Sequence, residues 1–97
     1  MTREDFQKIS MHIPGQPGVY QYIDKNEVVL YVGKAKNLKK RISSYFTNKK
    51  HQMNKTRVML KHARRIDFTV VETESDAFLL ENSLIKKFQP RYNVDLK

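Results

Sequence analysis

The chain has 97 residues, no cysteine, and 19 Lys and Arg against 10 Asp and Glu, for a formal net charge of +9. This describes a single small domain with a modest core and no disulfide, whose expected partner is a polyanion, nucleic acid first. The longest apolar run, Val28 to Val32, falls far short of the roughly 20 residues a membrane span needs, and no charged-then-apolar leader opens the chain, so the expectation is a soluble protein with no membrane contact.

Thr2-Arg3-Glu4-Asp5 has the form of a capping box, and Phe6, Ile9 and Ile13 follow at helical intervals, predicting a short amphipathic helix. Pro14-Gly15-Gln16-Pro17-Gly18 stops it and delivers the chain into a strand, Val19-Tyr20-Gln21-Tyr22-Ile23. Asp24-Lys25-Asn26-Glu27 reads as a turn. Val28 to Val32, rich in β-branched residues, reads as a second strand, covered on both faces and ended by Gly33. Strands so close in sequence pair as an antiparallel hairpin, with Tyr20 and Tyr31 in neighbouring strands.

Asn37 is a suitable N-cap for the next helix, on which Leu38, Ile42, Tyr45 and Phe46 share one arc. Arg41 lies about 40° from Tyr45, on the border of that arc. A guanidinium beside a phenol at the rim of an apolar stripe suits a phosphate grip; the alternative is a basic surface helix packed on a sheet. Thr47 to Lys55 reads as an exposed basic loop, suited to phosphate contact or simply solvated. Asn54 is placed to cap a helix through Val58, Met59 and Ala63. After it Ile66, Phe68 and Val70 alternate with Asp67 and Thr69 as a third strand.

Thr73-Glu74-Ser75-Asp76 repeats the capping pattern and begins a helix from about Ser75 to Phe88. With Ala77 at zero, Leu80, Leu84, Ile85 and Phe88 cluster around an angle of about 20°, and Glu81 falls at about 40°, inside the stripe. A buried unpaired carboxylate is costly, so Glu81 must face a cation, a metal or a solvent-filled cleft; an ion pair with Arg41 or Lys34 is the structural alternative. Gln89-Pro90 ends this helix, and residues 91–97 read as an extended tail. His12, His51 and His62 lack metal-ligand spacing, and no P-loop, dinucleotide fingerprint or triad signature occurs.

Gly18-Val19-Tyr20 followed by Tyr31-Val32-Gly33, with Arg41 in the next helix, Glu81 in a late helix and Asn93 beyond it, resembles the GIY-YIG nuclease family over nearly the whole chain. Valine stands for isoleucine in both signature triplets, which changes no chemistry. Lys34-Ala35-Lys36-Asn37-Leu38 and Pro90-Arg91-Tyr92-Asn93 are most similar to the branch that incises damaged DNA in bacterial nucleotide excision repair. The resemblance implies an α/β (α+β) fold, a small three-stranded mixed or antiparallel sheet flanked by helices. It also implies that residues 1–97 form one endonuclease domain of a longer multidomain protein.

The implied activity is metal-dependent hydrolysis of a DNA phosphodiester on the 3′ side of a lesion. Glu81 would hold a single Mg²⁺ or Mn²⁺, Arg41 would pair with the phosphate, and Lys34 would add a point charge. Tyr31 would be the general base, Tyr20 and Tyr45 would orient it or the phosphate, and Asn93 would brace the site. A phenol of pKa near 10 is ionised to about one part in a thousand at pH 7, a deficit of roughly 4 kcal/mol, so activity is expected to rise on the alkaline side. The implied partners are damaged duplex DNA and, through the rest of the protein, other excision-repair subunits such as a UvrB-type helicase. The domain itself is expected to be a monomer in the bacterial cytoplasm. Lys36, Lys39, Lys40, Lys49, Lys50, Lys55 and Arg57 are candidates for backbone contact, with no base-reading set among them, so binding should tolerate sequence and depend on salt. The rival readings are another structure-specific or homing nuclease of the family and a non-catalytic nucleic-acid-binding module, for which a carboxylate in an apolar stripe has no use.

Overall fold

The computed structural model describes residues 1–47 and 54–95. Three helices begin on the expected caps, at Thr2, Asn37 and Thr73. Thr2 Oγ1 accepts from the Asp5 amide at 3.1 Å while the Asp5 carboxylate accepts from the Thr2 amide at 2.9 Å, closing the box that starts α1, Arg3–Ile9. The helix tightens into a 3₁₀ turn at Ser10–His12, and Ile13 is buried beyond it. The Thr73 hydroxyl accepts from the Asp76 amide and starts α4, Glu74–Phe88.

Strands β1 (Gly18–Asp24), β2 (Val29–Ala35) and β3 (Ala63–Val70) form one antiparallel sheet in the order β2-β1-β3, so of the sheet types expected the antiparallel one holds. Tyr22 faces Tyr31 and Tyr20 faces Gly33 across the hairpin. Gly33 does not end β2 as expected: the ladder runs on to Gly18 opposite Ala35. Its lack of a side chain serves a close approach instead, since a Cβ there would stand 2.4 Å from Cζ and Oη of Tyr20. Gly18 is needed for the same kind of reason, because its Cβ would meet the Thr69 carbonyl at 2.3 Å and Leu38 Cδ1 at 2.6 Å.

Helix α2, Leu38–Thr47, starts beside β1 because the Pro-Gly loop supplies its first acceptors. The Leu38 and Lys39 amides donate to the carbonyls of Gln16 and Pro14, and Asn37 Oδ1 accepts from the Lys40 amide at 3.0 Å. Leu38, Ile42, Tyr45 and Phe46 are all buried, as the periodicity predicts. They pack with Phe6, Ile13, Tyr20, Tyr22, Leu30, Met59, Leu60 and Tyr92 on one face of the sheet. On the other face Val19, Ile23, Val29 and Val32 meet Ala77, Leu80, Leu84 and Ile85 of α4. The second strand is therefore covered on both faces from Val29 to Gly33, with Val28 and Lys34 left exposed on either side.

Further expectations are corrected. Thr47 closes α2, and Asn54 and Lys55 open α3 (Asn54–His62) rather than belonging to a loop, Asn54 being its first residue rather than its cap and the helix stopping at His62, short of Ala63; Lys49 and Lys50 lie outside the described residues. β3 begins at Ala63, three residues before the alternation shows it. Phe88, on the stripe arc of α4, is 41% exposed, so that helix's packing on the sheet ends at Ile85. Residues 91–95 are not extended but form α5, Arg91–Asp95, in which the Asn93 amide donates to the Pro90 carbonyl at 3.1 Å and Tyr92 is buried. Proline before its first residue favours a helical start, and five residues are too few for a helical period to show in sequence. Among the described residues no helix is long and apolar enough to cross a membrane.

Candidate active site

The strand alternation puts Tyr20 and Tyr22 on the same face, and α2 brings Tyr45 and Arg41 over them. Tyr20 and Tyr45 share a hydrogen bond of 2.7 Å between their hydroxyls. Arg41 Nη2 donates to Tyr45 Oη at 3.3 Å, Nη1 donates to Ser44 Oγ at 3.4 Å, and the guanidinium carbon stands 4.8 Å from the Tyr45 ring centre. This i,i+4 pair is therefore a cation–π contact, with the guanidinium over the ring, as well as a hydrogen bond. Tyr31, half-buried, places its ring centre 6.3 Å from that of Tyr20.

Burial keeps the two bonded phenols neutral. It pushes Tyr20 above the ordinary phenol range, against the lowering influence of Arg41, and it pushes Tyr45 far above that range with help from the neighbouring phenols of Tyr20 and Tyr22. Burial also pulls the Arg41 guanidinium down, but the surrounding phenols, Tyr20 first, outweigh it.

Tyr22, missed by the sequence reading as a site residue, is fully buried between these groups, with ring centres 5.9 Å from Tyr20 and 5.1 Å from Tyr45. Its hydroxyl has no hydrogen-bond partner among the described residues. Its shared parity with Tyr20 on β1 was the available signal. Asn93 reaches β2 from the middle of α5: its Oδ1 accepts from the Val32 amide and its Nδ2 donates to the Val32 carbonyl, both at 2.8 Å. The border strand is thus held one residue from Tyr31.

Glu81 sits on the helix that covers the opposite face of the sheet. It is half-buried in one row with Ala77 and Ile85, four residues to either side, both of which pack on the sheet. Among the described residues its carboxylate makes no ion pair or hydrogen bond, so the alternative of a pair with Arg41 or Lys34 is not what the fold builds. The structure therefore brings Tyr20, Tyr31, Arg41 and Tyr45 together, ties Asn93 to the same strand, and leaves Glu81 without direct contact to them. Among the described residues no three His, Asp or Glu side chains gather as a ligand set.

The expected backbone-contact residues are spread more widely. Lys34 is exposed on β2, opposite Val19. Lys36, exposed, stands 3.7 Å from the Glu74 carboxylate, a weak surface pair. Lys39 and Lys40 are exposed on α2, and Lys55 and Arg57 lie along α3.

Comparison with known proteins gives a consistent picture. Residues 16–94 match the family described as the UvrC-like GIY-YIG domain. The chain is 55% identical over 97 residues to UvrABC system protein C of Porphyromonas gingivalis, covering all of this chain and 16% of that protein. It is 62% identical over 85 residues to the protein of the same name from Flavobacterium johnsoniae, covering 88% of this chain and 14% of that one. It therefore spans a small part of the curated relatives it matches. The GIY-YIG N-terminal endonuclease domain of UvrC from Thermotoga maritima, crystallised with its catalytic divalent cation, magnesium, is similar with a TM-score of 0.79 and 37% identity, over 95% of this chain and 98% of that one. The hairpin tyrosines, the arginine helix, the glutamate helix and the asparagine brace all lie within the matched segment, and this chain belongs to the family of UvrC-like GIY-YIG domains.

Proposed function

We propose that this chain is an endonuclease domain that hydrolyses a DNA phosphodiester with one divalent cation, and that within a longer protein it makes the 3′ incision of nucleotide excision repair. The observation that carries the reading is the Arg41 guanidinium held on the Tyr45–Tyr20 hydroxyl pair beside Tyr31, on a strand whose other face is covered by the helix bearing an unpartnered Glu81.

The donor chemistry fits a hard cation. A lone half-buried carboxylate, with no protein cation on it among the described residues, suits an ion that keeps most of its waters, which is the habit of Mg²⁺ and is shared by Mn²⁺. Glu81 would hold it. When bound, such an ion neutralises charge on the phosphoryl oxygens and makes nearby water easier to deprotonate.

Arg41 binds a phosphoryl oxygen and meets the charge that develops there, and its contacts to Tyr45 and Ser44 fix its direction before the substrate arrives. Tyr20 and Tyr45, kept neutral by burial, act as hydrogen-bonding groups and not as bases. Tyr31 is left as the base, its ionised phenolate form taking the proton of the attacking water at Oη and becoming the neutral phenol. Lys34 adds a point charge, and Asn93 keeps the strand that carries Tyr31 in register. The substrate is damaged duplex DNA, the partners are excision-repair subunits including a UvrB-type helicase, and the domain works as a monomer in the bacterial cytoplasm.

The test is nicking of supercoiled plasmid in Mg²⁺ or Mn²⁺ by the wild type and by Glu81→Gln, with matched circular dichroism. We expect relaxation by the first and none above background by the second. Equal nicking would remove Glu81 from the mechanism, and a rate that is flat between about pH 7 and pH 9.5 would remove Tyr31 as the base.

A further inference from the structure

A second groove opens where the start of α1 meets α2 and α3. Its volume is about 640 Å³. Tyr45 and Leu60 contribute apolar wall, and Arg3, Arg57 and Lys61 set three cationic side chains around it against a single acidic one, Glu4. Arg57 and Lys61 are four residues apart on α3 and so share a face. Tyr45 belongs to this groove and to the site already described: its hydroxyl takes the hydrogen bond from Arg41 and bonds Tyr20 at 2.7 Å, while its side chain lines the groove. A strand held at Arg41 therefore has a cation-rimmed, partly apolar groove that shares the Tyr45 side chain with that grip.

Resting on the nuclease reading above, we propose that this groove carries the sugar-phosphate backbone flanking the scissile linkage, with Arg3 and Lys61 as phosphate contacts. The chemistry is that of a nucleic-acid track. Separate cations attract phosphates, an apolar wall accepts the deoxyribose beside them, and the lining offers no paired donor–acceptor set for a base edge. An acidic protein segment would also be drawn to the cations. It would have no reason to start at the guanidinium that grips a phosphodiester, and continuity through Tyr45 favours DNA.

The 97-residue chain is suitable for the test, since the crystallised Thermotoga domain of nearly the same extent folds by itself. Binding of a fluorescent 20-base-pair duplex is measured from low to physiological salt for the wild type, for Arg3→Glu with Lys61→Glu, and for Lys8→Glu with Lys25→Glu. The last pair makes the same charge change at exposed positions outside the groove and the tyrosine cluster. We expect the groove pair to weaken binding by about tenfold and to reduce the slope of log affinity against log salt by about 1.8, two phosphate contacts' worth, with the control pair close to wild type. Equal weakening by the control pair would show bulk attraction and overturn the track. So would unchanged binding by the groove pair, or no binding by the wild type. A wild type that binds through Arg3 and Lys61 yet nicks nothing keeps the groove as a DNA track and removes the nuclease reading instead.

Discussion

Asn93 treats Val32 as a neighbouring strand would: its side-chain amide accepts from the Val32 N–H and donates to the Val32 carbonyl, each at 2.8 Å, in a place where both residues are buried. β2 borders the sheet, so these two backbone groups have no strand beyond them. One side chain satisfies them both.

Asn93→Ala should consequently cost about 2 to 4 kcal/mol, the penalty for stranding two buried backbone groups, read as a lower urea midpoint with an unchanged slope. Asn93→Asp, which accepts but cannot donate when ionised, should be destabilised as well. A loss under about 0.5 kcal/mol for Asn93→Ala would mean that water replaces the amide without penalty.

Gly33→Ala should lower nicking by about 10²-fold while leaving the secondary structure intact. The added methyl would meet Tyr20 Cζ and Oη at 2.4 Å, so the ring must move off its bond to Tyr45. Overpacking of this kind costs about 1 to 3 kcal/mol, which circular dichroism melts should register. Full activity in this variant would show that the Tyr20–Tyr45 pair does not matter to the reaction.

The buried tyrosines set a limit on the alkaline side. Tyr20, Tyr22 and Tyr45 all hold their protons more tightly when folded, burial being the first cause in each. Above a pH of about 10 the unfolded chain gives up protons that the folded chain keeps, so stability, fully present below that pH, falls as pH rises further. Thermal midpoints measured from pH 8 to 12 should drop beyond 10. Tyr22→Phe should lessen the drop. Because the Tyr22 hydroxyl has no partner among the described residues, the same change should be neutral or stabilising by about 1 kcal/mol at pH 7.

What the sequence made legible was whatever depends on near neighbours. The box at Thr2, the caps at Thr73 and Asn37, the buried arc of α2 and the hairpin all rest on patterns a few residues long, and each is found in the structure, though at Thr73 only the hydroxyl half of the box forms. Features that depend on a distant partner did not show. Gly33 reads as a strand end because its reason for being glycine is a ring thirteen positions earlier in the chain. Leu30 is accommodated by a register shift that no alternation announces. α5 hides because its single buried tyrosine gives no period. Glu81 was recognisable as a carboxylate out of place, but which face of the sheet its helix covers was settled only by the packing of Ala77, Leu80, Leu84 and Ile85.

The fit between Tyr20 and Gly33 has a further consequence for how such a domain can change over generations. The two signature triplets are halves of a single steric agreement, one giving up volume that the other occupies, so neither half can drift by itself. A methyl gained at position 33 demands a smaller ring at position 20 in the same lineage, and a smaller ring gives up the hydroxyl that Tyr45 holds. Any constraint on that hydroxyl pair thereby reaches a residue with no functional group at all.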